Sequence, residues 1–170
     1  MTSTRTPVIL NVTSALTEGY RAYTFTGRGS ILNVTVIFDR PVDVTGTPLM
    51  TINMDVSAVN RVFRYKAGTG TPRISFTYGP VVAADRANDL DYTTVNDLVL
   101  GVGGIIAGSA VGDAASAGVH ADLTLPAPGT AGSLEPNKKI VVYGALSGRA
   151  AVGGGRNGDL AAWVKLYDEI

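Results

Sequence analysis

The sequence predicts an all-β protein, a sandwich of two antiparallel sheets built from about seven to nine short strands. Glycine and proline are frequent, with 21 and 8 of the 170 residues, and threonine and valine are abundant, as is typical of turn-rich β proteins. Short runs of alternating apolar and polar residues recur, separated by turn residues at intervals of about 8–14 positions. A hydrophobic fraction of 45% is ordinary for a folded chain, so we expect one packed domain over residues 1–144.

The first strands are predicted at residues 8–13, 20–26 and 30–38. The third has the clearest pattern, because its apolar side chains fall on one parity while Asn33 and Thr35 fall on the other. That period of two is the signature of a half-buried strand. The apolar positions are Leu32, Val34, Val36 and Phe38.

Further strands are predicted at residues 49–54, 96–100 and 139–143, and a brief one at 123–125. Pro41 predicts a bend after the third strand, since proline cannot donate to a central ladder. Residues 60–66 and 73–78 are joined by a glycine-containing loop, which predicts a hairpin. Residues 101–118 are rich in Gly, Ala and Ser and are expected to be irregular. This series of short strands favours an Ig-like two-sheet sandwich.

Charge and cysteine content exclude several classes of partner and site. Lysine and arginine total 14 and the acidic residues 14, so nothing favours nucleic acid or an anionic membrane. The absence of cysteine excludes disulfides, thiolate metal sites and cysteine nucleophiles. The first residues lack the apolar segment of a secretory signal, and no apolar run approaches the roughly 20 residues of a membrane span. If residue 1 is the natural start, we therefore expect a protein made and folded in a cytoplasm; a piece cut out of a larger protein, with an added Met, would look the same.

Catalysis is not expected. His120 is the only histidine, and without a Gly-x-Ser-x-Gly elbow it is expected to be a surface residue. Aromatic residues make up 7% of the chain, so no aromatic sugar platform accompanies the carboxylates that a glycosidase would need.

The polar loop at residues 85–92 contains the candidate metal ligands. Calcium prefers six to eight oxygen ligands, and loops between strands commonly hold it. The alternative is an Asx-turn, in which the same side chains accept hydrogen bonds from local backbone N–H groups. The candidate ligands are Asp85, Asn88, Asp89 and Asp91.

The composition changes after Tyr143. Residues 145–158 have the composition of a Gly/Ala-rich linker, and residues 159–170 are predicted to form an anchoring arm, either a short helix or an extended segment. Four side chains of this arm fall on one helical face and are the candidate partner-binding residues; docking on the chain's own domain is the other interpretation. They are Leu160, Trp163, Val164 and Tyr167.

Several motifs resemble the Ig-like, cadherin-like repeats found in tandem in large bacterial and cyanobacterial surface and adhesion proteins. They are the strand at 34–38 with Pro-Val-Asp-Val-Thr-Gly-Thr-Pro at 41–48, the hairpin around 68–71, Asp-Leu-Asp-Tyr at 89–92, and Ala-Asp-Leu-Thr-Leu-Pro-Ala-Pro-Gly at 121–129 with Gly-Ser-Leu at 132–134 and Asn-Lys-Lys-Ile at 137–140. The resemblance covers roughly residues 8–144. It implies a β-sandwich with an adhesive or structural role and no catalysis.

A single copy without a signal peptide, followed by an arm, is also similar to the accessory proteins of tailed-phage virions. That similarity implies a head-decoration or cement protein, made in the host cytoplasm and bound in the virion to the major capsid protein or another virion protein. Formation of a homo-oligomer stays open. The alternative is one adhesion repeat of a bacterial cell-surface protein that binds carbohydrate or protein, with or without calcium.

Overall fold

A computed structural model describes residues 4–17, 20–25, 28–56 and 59–143. This part of the chain contains eleven β-strands and one short helix, so the all-β prediction is confirmed. The strands are β1 (Ile9–Thr13), β2 (Tyr20–Phe25), β3 (Arg28–Gly29), β4 (Leu32–Thr45), β5 (Leu49–Met54), β6 (Val59–Ala67), β7 (Thr71–Tyr78), β8 (Arg86–Ala87), β9 (Leu98–Val99), β10 (Ile105–Gly108) and β11 (Ile140–Tyr143), with α1 at Leu134–Asn137.

The strands form two sheets. The larger has seven antiparallel strands in the order β1-β4-β7-β6-β5-β9, and β10 pairs with the second half of β4. The smaller has the order β3-β2-β11-β8. Within it β2 and β11 run parallel, which departs from the antiparallel pairing predicted for the whole fold. Parallel neighbours need a long connection, and here most of the larger sheet lies between β2 and β11 along the chain.

Strand β4 confirms the predicted alternation. Leu32, Val34 and Val36 are fully buried and Phe38 is 2% exposed, whereas the intervening side chains are half-buried. The strand does not stop at Pro41 but continues to Thr45. Instead its register against β7 shifts between Ile37 and Val42, so the proline lies where the ladder is already interrupted and its missing N–H is not needed.

The predicted hairpin is formed by β6 and β7. Gly68 and Gly70 have φ angles of 117° and 76°, the region that glycine adopts without steric cost. A Cβ on Gly68 would come within 2.0 Å of the Arg73 carbonyl oxygen. The Thr71 hydroxyl donates to the Gly68 carbonyl at 2.7 Å, which closes the turn.

One hydrophobic cluster joins both sheets. The inner face of the larger sheet shares it with Ala87, Ile140 and Val142 of the smaller sheet. The predicted polar loop also contributes, because Leu90 and Tyr92 are buried in the same cluster. The segment at 85–92 is therefore polar in sequence but partly buried in the structure.

Irregular segments cover the edges of the larger sheet. Backbone hydrogen bonds of 2.7–2.8 Å connect the edge strands β1, β5 and β10 to neighbouring loops. They run from Val12 N–H to the Gly132 carbonyl, from Thr51 N–H to Asp97, from Asn53 N–H to Asp91, and from Gly108 N–H to Val119. Because an unpaired edge is a template for adding another strand, these loops protect the sheet from edge-to-edge association.

Two sequence predictions differ from the structure near residue 130. No strand is present at 123–125, and the four-residue helix α1 was not predicted. Asn137 ties α1 to β1, donating through Nδ2 to the Val12 carbonyl at 2.8 Å, to the Ser133 carbonyl at 2.6 Å and to Asn11 Oδ1. The predicted linker and arm lie outside the described residues. Among the helices of the described chain, none has the length and apolar content of a membrane span.

Candidate functional site

Asp85, the first predicted calcium ligand, is completely buried. Its Oδ1 accepts a hydrogen bond from Arg61 Nε at 2.6 Å, in a salt bridge whose arginine side chain is 26% exposed. Its Oδ2 accepts from the Tyr78 hydroxyl at 2.7 Å and from Val82 N–H at 2.9 Å. The carboxylate therefore fastens the loop after β7 to the inner side of β6 and β7.

The groups around Asp85 have shifted pKa values. The hydrogen bond to Asp85 raises the pKa of Arg61 above its ordinary value. Burial raises the pKa of Tyr78 to about 12, helped by its hydrogen bond to Asp85 and by the charge of that carboxylate. An arginine that stays charged and a phenol that stays protonated are the two donors that a buried carboxylate requires.

The other three predicted ligands each contact a different segment of the chain. The backbone N–H of Asn88 donates to Asp55 Oδ1 at 2.8 Å. Asp89 forms a salt bridge with Lys139 at 3.2 Å. Asp91 accepts from Tyr92 N–H at 2.9 Å and from Gly129 N–H at 3.1 Å. The Asp91 carboxylate thus accepts from backbone donors, but Gly129 is 38 positions away along the chain, so Asp91 connects two segments and does not close an Asx-turn.

The calcium site stays a prediction. Within the described ranges no group of three or more His, Cys, Asp or Glu side chains is placed to hold a metal ion. A buried oxygen favours a cation, because Asp89 Oδ1 has no hydrogen-bond partner in the part of the chain that the structure describes. The ammonium of Lys139 on the other oxygen of Asp89 opposes a cation there, since the two positive charges would repel each other.

A second polar cluster surrounds Arg40. This guanidinium binds Asp39 and, through Nη1 at 2.7 Å, Asp113. The hydrogen bond from Arg40 lowers the pKa of Asp39, which also accepts from Val8 N–H at 3.0 Å. The cluster borders an opening of about 410 Å³ that Arg5 also lines. Its charges are matched, so its evident effect is to hold the segment around Asp113 against β4.

His120 is exposed, as predicted, and forms an isolated bridge with Ala107 of β10. It belongs to the segment that covers the edge of that strand. The predicted partner-binding residues Leu160, Trp163, Val164 and Tyr167 lie outside the part of the chain that the structure describes.

A shallow depression of about 300 Å³ lies on the outer side of the larger sheet. Hydroxyl groups line it on β1, β4 and β7, where Thr13 pairs with Thr35 and Thr35 pairs with Ser75. Ala67 has a small side chain and Gly68 has none, which leaves space for the depression. Arg73 borders it. Its volume is at the lower end of the range for small-molecule sites, and apolar atoms make up the larger part of its lining, with the hydroxyl groups set among them.

Comparison with known proteins identifies no relative: no family model, no curated protein and no solved structure matches the chain.

Sequence reasoning placed Asp85 among ligands and missed its partners. Arg61 is 24 positions away along the chain, and spacing carries no signal for such a contact. A weaker signal did exist for Arg61: it has the same parity as Phe63, which predicts an inward direction, and an inward arginine requires an acidic partner.

Replacing the buried carboxylate tests its structural role. We expect Asp85→Ala to lower the free energy of unfolding by about 3–5 kcal/mol, because it leaves Arg61, the Tyr78 hydroxyl and Val82 N–H without an acceptor. The matched control is Asp89→Ala, whose ion pair with an exposed lysine contributes about 1 kcal/mol or less. Urea unfolding measures both. Equal losses for the two variants would contradict the assignment.

The raised pKa of Tyr78 predicts an alkaline loss of stability. A group whose pKa is higher in the folded state contributes stability that is complete below its unfolded pKa of 10.0 and disappears as pH rises towards about 12. The stability difference between the wild type and Tyr78→Phe should therefore shrink between neutral pH and about pH 11. Tyr92 is present in both proteins, so its titration contributes equally to both stabilities and cancels in the difference. A difference that is constant with pH would show that the phenol is not held by Asp85.

Proposed function

We propose that residues 1–144 form an Ig-like two-sheet sandwich that serves as a non-enzymatic structural module. The support is the shared core, in which Phe63 and Phe76 of the larger sheet lie in one cluster with Ile140 and Val142 of the smaller. Two sheets that bury their inner faces against each other are the usual solution for a chain of short strands.

The function that we propose is that of a bacteriophage head-decoration or cement protein, bound to the lattice of the major capsid protein. One observation carries it: loops cover the edges of the larger sheet. A module protected in this way does not build fibres with its own copies. In this proposal the module contacts its partner through the faces of its sheets, its loops and its arm. On a symmetric lattice, many such weak contacts add up to durable binding.

The arm supplies part of the contact in this proposal. Trp163 is the only tryptophan of the chain, and tryptophan and tyrosine are the residues that most often anchor protein interfaces. The preceding linker, with glycine at 153–155 and again at 158, has the composition of a flexible tether.

Deleting residues 145–170 tests the role of the arm. We expect the truncated protein to be lost from particles while its thermal midpoint is unchanged, because the cluster at the core lies within the retained residues. Copy number per purified particle and a thermal melt are the two measurements. The double variant Trp163→Ala, Tyr167→Ala should give an intermediate loss. Undiminished incorporation of the truncated protein would refute the role of the arm.

The alternative is an adhesion repeat of a bacterial surface protein that binds calcium at the 85–92 loop. The observation that favours it is the buried Asp89 Oδ1, which has no hydrogen-bond partner among the described residues.

A melt in calcium chloride and in chelator tests this alternative. It predicts a higher midpoint in calcium, since a ligand that binds only the folded state stabilises it. Asp89→Asn should abolish the shift, and Asp122→Asn, at an exposed position on another segment, should preserve it. An unchanged thermal midpoint of the wild type in calcium would contradict calcium binding.

A further inference from the structure

The outer face of the larger sheet consists of the side chains that point away from the core. Its strands are aligned so that these side chains form cross-strand rows, of which three cross β7. The rows are Val99–Leu49–Arg64–Thr77–Asn33, Ala67–Ser75–Thr35–Thr13 and Arg73–Ile37–Asn11. The burial patterns of β4, β5 and β7 alternate accordingly, with buried side chains on the opposite face.

The three rows carry a positive charge although the chain is neutral. The three rows contain Arg64 and Arg73 and no Asp or Glu. Both arginines are exposed, and neither guanidinium has an ion-pair partner among the described residues. Arg40 and Arg61, by contrast, are both neutralised by aspartates. With 14 basic and 14 acidic residues in the whole chain, this charge arises from placement and not from composition.

The uncharged side chains of the outer face fit a protein partner. Val99 is 47% exposed at one end, and Val62, on the same side of β6, is 45% exposed. Hydroxyl groups fill the other end, around the depression that Arg73 borders. None of the side chains in the rows is aromatic, so the face lacks a platform on which a sugar or a base could stack. Arginine together with aliphatic and hydroxyl groups is the composition of a protein interface.

We propose that the outer face docks against an acidic protein surface, with Arg64 and Arg73 binding carboxylates of the partner and the hydroxyl-lined depression receiving one acidic side chain. The proposal rests on the proposed function, in which the partner is a protein lattice. Six strands at a spacing of about 4.8 Å span about 24 Å, so the face covers on the order of 400 Å². That is about half of one side of a standard interface, and the contact is weak unless it is repeated.

The test uses labelled poly-L-glutamate as an acidic polypeptide and measures binding by fluorescence anisotropy at low salt. The double variant Arg64→Gln, Arg73→Gln lowers the net charge by two. Its matched control, Arg5→Glu, also lowers it by two but lies at the opening beside Arg40. We expect the double variant to weaken binding about fivefold or more and the control to weaken it less than about twofold. Binding of the wild type should fall as salt rises.

Four outcomes would overturn the proposal: equal losses in the two variants, no loss in either, no binding of poly-L-glutamate by the wild type, and binding of heparin in preference to it. The two arginines are exposed, so both variants should fold, and an unchanged thermal midpoint checks this. The assay needs no particle. If the full-length chain is absent from particles but the outer face binds poly-L-glutamate as expected, then the proposed function fails and the docking face remains.

Discussion

Strand β4 is the constraint on which the rest of the fold depends. It pairs with β7 along its first half, with β1 along the same stretch, and with β10 beyond the shift at Pro41. Its inward side chains are fully or almost fully buried. Because a slip of one residue would turn every apolar side chain towards solvent, the burial of β4 also determines the register of its neighbours. The outer face follows from this register, because the side chains that alternate with the core side chains must line up in rows on the opposite side of the sheet.

The buried Asp85 carboxylate connects this scaffold to the irregular half of the chain. Three donors converge on it, from Arg61, from Tyr78 and from the backbone of Val82. A buried ion pair is a weak source of net stability, but removing one partner is costly. The network therefore selects one position for the loop after β7. That position allows Leu90 and Tyr92 to enter the core and the following residues to cover the edge of β5.

The two kinds of arginine in this protein illustrate how one residue type divides between structure and recognition. Arg61 and Arg64 lie on the same strand three positions apart. Arg61 is directed inward to Asp85, and Arg64 is directed outward with no ion-pair partner among the described residues. The charge of Arg61 is neutralised within the fold by Asp85. The charges of Arg64 and Arg73 are exposed and can pair with a partner. For this reason we assign the outer face, and not the surroundings of the buried Asp85, to a partner.

Much of the larger sheet followed from the sequence alone. The alternation in β4 and the glycines of the β6–β7 hairpin specify local structure through side-chain period and backbone freedom, and these signals need no distant contact. The parallel pairing of β2 with β11, the continuation of β4 through Pro41 and the helix at 134–137 did not follow, because each depends on what packs against it. The same limit applies to Asp85: its position in a polar run indicated a ligand or a turn, and only tertiary contact with Arg61 and Tyr78 made it a buried anchor. Local period determined β4 and the β6–β7 hairpin, whereas the long-range pairing of Asp85 with Arg61 decided that this polar residue belongs to the core.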